Sequence, residues 1–130
     1  MIVVDASVAL AWFLESNESA LTVLRYVEEQ GALVPGNFHT ELVHGFLSAE
    51  RQRRIHAAAA ERSLKAVLQL PIEVRFPDPA HVMAVARAHR LTGYDAAYLT
   101  LAMESGHPLA TADTALRRAA EATNHLWEPA

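Results

Sequence analysis

Residues 1–10 read MIVVDASVAL, and the fold turns on how that stretch is parsed. Ile2, Val3 and Val4 form an apolar, β-branched run suited to a strand buried on both faces. The run stops on Asp5, and Ala6–Leu14 then follows a helical pattern. A carboxylate at that junction has two readings. It can cap the helix by accepting a backbone N–H. It can also stand at the carboxyl end of a parallel strand, where open α/β sheets bind ligands.

Outward from this point, apolar spacing and breakers predict an alternation of strands and helices. Helices are expected at Ser19–Gln30, Phe38–Arg53, Ala57–Leu70, Ala80–His89, Tyr94–Glu104 and Ala115–Ala122. Leu42, Phe46, Val43 and Leu47 are expected on one side of the third helix. Strands are expected at Ala32–Val34, Ile72–Phe76 and Pro108–Ala110, with His125–Trp127 as a fifth. Gly31, Pro71, Thr92-Gly93 and Gly106 supply the interruptions. Strands separated by helices imply an α/β fold: a three-layer α/β/α sandwich around a central parallel sheet of four or five short strands.

The bulk properties narrow the class. At 130 residues, residues 1–130 are expected to form a single domain with a real core. Half the residues are apolar and none is cysteine, so disulfides and thiolate chemistry are absent. The longest apolar run, Val8–Leu14, falls far short of a membrane span, and no basic segment precedes it. A cytoplasmic protein is the expectation. The net charge of −4 disfavours coating of nucleic acid by bulk electrostatics. Positive charge is nevertheless clustered, at Arg51, Arg53 and Arg54 and again at Arg87 and Arg90.

Three further acids fall near the same predicted sheet edge as Asp5. Asp113 follows the fourth strand in PLATADTAL; Glu41 and Asp95 lie in the first turns of their helices. Two charges about 4 Å apart repel by roughly 4 kcal/mol at an effective dielectric near 20. Convergence therefore demands protonation or a hard cation, and oxygen ligands favour Mg²⁺ or Mn²⁺. Such an ion activates water and stabilises charge at phosphorus, which makes phosphodiester hydrolysis the natural chemistry. Read singly, Asp113 is also a helix cap and Glu41 an acid on a helix dipole.

The ordered set VVDASVAL, P-x-x-F-x-x-E-L, GYDAAYLTLA and ATADTALRRAA resembles the PIN-domain ribonucleases, particularly the VapC-type toxins of bacterial toxin–antitoxin pairs. The resemblance spans nearly the whole chain. It implies a PIN-like sandwich, metal-dependent cleavage of RNA, neutralisation by a cognate antitoxin, and a homodimer. It places Asp5, Glu41, Asp95 and Asp113 at the family's four acidic positions, with Asp5, Asp95 and Asp113 as ligands of Mg²⁺ or Mn²⁺. Ser7 and Thr111 match small polar residues that support the site. His44 stands where such toxins commonly carry Asn, three residues after the acid, and so faces the same helix side as Glu41. Phe38 replaces the more usual Trp. Arg51, Arg53, Arg54, Arg87 and Arg90 are candidates for RNA phosphate contacts; Trp12, Phe13 and Leu14 are expected first as core and second as the lining of an antitoxin groove.

Other constellations fit less well. His39 and His44 lie five apart, whereas a zincin helix needs two histidines four apart with an adjacent Glu. P-loop, dinucleotide and nucleophile-elbow patterns are missing. A Mg²⁺-dependent phosphoacceptor or phosphatase would need acids beside or two after Asp5, where Ala6 and Ser7 stand. A non-catalytic PIN-like protein that only binds a partner is the remaining alternative.

Overall fold

The structure, a computed structural model, describes residues 1–129. Its elements run β1 (Ile2–Val4), α1 (Ala6–Leu14), α2 (Glu18–Gln30), β2 (Ala32–Val34), α3 (Phe38–Arg51), α4 (Ala57–Leu68), β3 (Ile72–Val74), α5 (Pro79–His89), α6 (Gly93–Ser105), β4 (Leu109–Ala110) and α7 (Thr114–Ala122). The four strands form one parallel sheet in the order β3-β2-β1-β4. The α/β/α sandwich expected from the alternation is what the chain adopts.

Strand order explains the layering. The connections β1→β2→β3 step one way across the sheet, while β3→β4 returns past β1. Right-handed crossovers put these two sets of helices on opposite faces. Accordingly, α1 packs on α2 and α3, and α3 on α4, whereas α6 packs on α5 and α7 and lies across β1, β2 and β4. Every residue from Ala96 to Thr100, and on to Ala102, is buried. This helix is covered all round, so it shows no apolar stripe.

The reversal between β1 and β4 is the topological switch point, the crevice where parallel sheets bind ligands. Asp5 and Asp113 leave β1 and β4 on either side of it. The fold has therefore brought the two carboxylates to neighbouring strand ends.

Three expectations needed correction. Phe76 is outside β3 and is 82% exposed. Its predecessor Arg75 still donates to Val34 O at 2.9 Å, but β2 ends there and the chain turns through Gly36 and Asn37 into α3, so the ladder has no further partner. The fifth strand reduces to one bridge, Leu126 against Leu109. On α3, Leu42 and Phe46 are buried while Val43 and Leu47 are exposed, so the apolar stripe is narrower than the spacing suggested. Among the described residues no helix is long and apolar enough to cross a membrane.

Candidate functional site

Asp5 is 4% exposed, and both of its oxygens are occupied. Oδ1 accepts Ser7 Oγ–H at 2.6 Å and the Val8 N–H at 3.2 Å, so the residue does cap α1. Oδ2 accepts the Thr111 hydroxyl at 2.5 Å. Thr111 Oγ1 accepts the Asp113 N–H at 3.0 Å, and Ser7 Oγ accepts the Ala112 N–H at 3.3 Å. The loop after β4 is thereby tied to the end of β1. Asp113 in turn caps α7 through Oδ2 and the Leu116 N–H at 2.9 Å.

Glu41 reaches the same edge from the first turn of α3, and Asp95 from the first turn of α6. Glu41 Oε1 accepts the Tyr98 hydroxyl at 3.2 Å, and Oε2 accepts the Asn37 amide. The Asn37 amide also reaches Tyr94 O at 3.4 Å, linking the start of α3 to that of α6. Thr92 Oγ1 accepts the Asp95 N–H at 3.1 Å and fixes the helix start.

Electrostatics join the acids. Burial pushes Asp5 up to about 6, against the pull of its hydrogen bonds, and the negative charge of Asp95 pushes the same way. Glu41 is raised by desolvation and again by Asp95. Asp95 is raised by desolvation and then by Asp113. The charge of Asp95 thus bears on both Asp5 and Glu41, and that of Asp113 on Asp95. Among the described residues the ion pairs are Arg75–Glu73, His81–Glu104 and Arg117–Glu128, and none neutralises this cluster.

Residues 2–122 match the PIN domain. The chain belongs to the PIN domain family. Its fold is similar to the crystal structure of PAE2754 from Pyrobaculum aerophilum, with a TM-score of 0.74 and 28% identity, over 91% of this chain and 78% of that one. No curated protein sequence matches it. PIN domains are typically metal-dependent nucleases, and membership suggests a nuclease here.

The donors of this PIN domain fit a hard divalent cation in their chemistry. All are carboxylate oxygens, they repel one another, and among the described residues none is in an ion pair. Among the described residues no three acidic or histidine groups are close enough to hold an ion as placed. Asp5 is spent on a helix cap and on the Ser7 and Thr111 hydroxyls, and Asp113 on a helix cap alone.

The remaining candidates divide. Ser7 and Thr111 both touch Asp5. His44 is exposed, makes no hydrogen bond to Glu41 among the described contacts, and lines a cleft of about 320 Å³ with Ser7, Leu14 and Arg54. Arg51, Arg53, Arg87 and Arg90 are exposed at the C-terminal ends of α3 and α5 or just beyond. Trp12 is core, and Phe13 stacks against Phe46 at 6.0 Å; only Leu14 of that trio lines the cleft. Tyr98 and Asn37 were not foreseen. Their signal was faint: Tyr98 falls three residues after Asp95, and Asn37 four before Glu41.

Proposed function

We propose that this PIN domain is a metal-dependent ribonuclease and the toxin of a toxin–antitoxin pair. What carries the reading is the delivery of four carboxylates to one sheet edge, Asp5 from the end of β1, Asp113 from the loop after β4, and Glu41 and Asp95 from the first turns of α3 and α6, with none of them in an ion pair among the described residues. Asp5, Asp95 and Asp113 would hold Mg²⁺ or Mn²⁺. When bound, such an ion stabilises charge at phosphorus and acidifies water. Thr111 and Ser7 orient the Asp5 carboxylate, and the bonds from Thr111 to Asp5 and from the Ala112 N–H to Ser7 tie the loop after β4 to the end of β1. Glu41, lifted toward neutrality and gripped by Tyr98 and Asn37, suits a proton acceptor for the attacking water.

Partners follow from the surface. The cleft between α1 and α3, with Leu10 and Leu14 on its wall and Arg54 and His44 at its rim, suits an apolar antitoxin segment bearing acidic residues. The open edge of β3, with Val74 40% and Phe76 82% exposed, suits a second copy of the chain. Arg51, Arg53, Arg54, Arg87 and Arg90 would offset the repulsion between the acidic centre and RNA.

The test is cleavage of RNA by purified, antitoxin-free protein. Cutting that requires Mg²⁺ or Mn²⁺ and disappears in folded Asp95→Asn supports the reading. Cutting that survives both chelation and that substitution overturns it.

A further inference from the structure

A second cleft, of about 370 Å³, opens beside the acidic centre. Its floor is apolar, from Val8 and Ala11 of α1 and Val23 of α2; one wall is Trp127, and the polar lining includes Asn17, Arg117 and the Glu128 carboxylate. Thr111 lines this cleft and also donates to Asp5 Oδ2, so cleft and acidic centre share a wall.

The chemistry of the lining is selective. Trp127 is half-buried and its ring is held edge-on by Tyr26 at 5.9 Å, leaving a fixed aromatic wall. Asn17 spends its oxygen on the Ala20 N–H and so offers amide N–H groups outward. Arg117 approaches Glu128 only at 3.9 Å, and both side chains are more than half exposed, so the guanidinium is readily redirected to a ligand. An aromatic wall, an apolar floor and N–H donors at the rim match a nucleobase joined to a phosphate.

We propose that this cleft receives one nucleotide of single-stranded RNA next to the scissile phosphate, with the base on Trp127 and its phosphate on Arg117. The inference rests on the ribonuclease reading and adds a subsite to it. A peptide segment would also fill an apolar cleft. The Arg117 guanidinium, the aromatic wall of Trp127 and the wall shared with Asp5 favour the polyanion whose cleavage that centre is proposed to perform.

The test uses the Asp95→Asn background with Mg²⁺, where RNA is bound but not cut. A short single-stranded RNA of mixed sequence is titrated while tryptophan emission and anisotropy are read. Trp127 and Trp12 are the two tryptophans, and Trp12 is buried in the core, so quenching by a stacked base reports on Trp127. Saturation with RNA is expected to quench emission, and Trp127→Phe to abolish the quenching with affinity kept within a few-fold. Trp127→Ala and Arg117→Ala are each expected to weaken binding by about ten-fold. Arg117 is exposed, so its variant remains informative if Trp127→Ala folds poorly. RNA binding without quenching, unmoved by Arg117→Ala, overturns the subsite alone when wild-type protein still cuts RNA. Protein that neither binds nor cuts RNA overturns the nuclease reading beneath it.

Discussion

The Tyr98 hydroxyl donates to Glu41 Oε1 at 3.2 Å, joining α6 to α3 across 57 positions of sequence. Burial, reinforced by the charges of Glu41 and Asp5, holds the Tyr98 phenol well above its usual range. It is therefore a neutral donor at any working pH, and its bond lowers the pKa of Glu41 against the desolvation that raises it. Tyr98→Phe keeps the ring in the core and deletes only the donor. The expected cost in stability is about 1 kcal/mol, because half-buried Glu41 regains water. The acid limb of the RNA-cleavage profile is expected to move to higher pH, as Glu41 then binds its proton more tightly. An unmoved limb in a folded variant would remove Glu41 as the titrating base.

Asp5 makes a second prediction, with a definite sign. Its folded value of about 6 exceeds the ordinary 3.8, so the folded state binds this proton more tightly than the unfolded chain does. The contribution to stability is whole below about pH 4, falls as pH climbs toward 6, and is gone above that. Roughly two pH units correspond to about 3 kcal/mol. Asp5→Asn deletes the ionisation, and in EDTA at about pH 8 it is expected to be more stable than wild type by ~1–3 kcal/mol. At about pH 4 that advantage should vanish. Urea unfolding of both proteins at the two pH values checks this; a variant less stable at high pH would mean that the Ser7 and Thr111 bonds outweigh the buried charge.

Much of this was legible in the chain, for physical reasons that also mark the limits. The β-branched run ending on Asp5 is read directly, since burial of β1 on both faces leaves no alternation to interpret. The cap at Asp113 is equally plain, and Asn17, Asp78 and Thr92 accept N–H groups of their first turns in the same way, each two residues before the start that spacing gave at Ser19, Ala80 and Tyr94. Capping is local chemistry within three residues, so sequence displays it. Strand ends are not local. Where β3 stops depends on where its neighbour β2 ends, and alternation through Phe76 could not show that. The grip of Tyr98 and Asn37 on Glu41 was hidden for a similar reason. A buried tyrosine in AAYLTLA looks like core, which it also is, and its partner is decided by how α6 crosses α3. Of the two readings posed by Asp5, the cap is what the structure shows, and the same buried carboxylate also feels the charge of Asp95.

Gly45 tests the packing that carries Glu41 toward Asp5. It lies on α3 where α1 comes closest, and a Cβ built there would stand 2.2 Å from Leu10 Cδ1 and 2.8 Å from Leu10 Cδ2. Gly45→Val is expected to destabilise the fold by about 1–3 kcal/mol through overpacking. All the near atoms belong to Leu10, so Leu10→Ala should recover much of that loss in the double variant, giving a favourable coupling energy. Denaturant melts of the four proteins supply the cycle. Additive losses would show that α1 and α3 are held apart by something other than this side chain.

A ligand-linked gain in stability is the most direct check on the acidic cluster, since it needs neither substrate nor partner. Ionisation of Asp5 and Asp95 is opposed by burial and by neighbouring charge, so a divalent cation binding there relieves a cost that the folded state otherwise bears. Mg²⁺ or Mn²⁺ at about 100 times its dissociation constant adds about 2.7 kcal/mol to stability. The gain should shrink as pH falls below about 6, where Asp5 takes up a proton that competes with the metal. Asp95→Asn removes the acid whose charge bears on both Asp5 and Glu41, and is expected to abolish most of the gain while leaving the metal-free fold intact. The readout is the melting temperature with and without metal for the two proteins across pH. An equal rise in both would place the cation elsewhere on the surface and leave the four carboxylates without the role proposed for them.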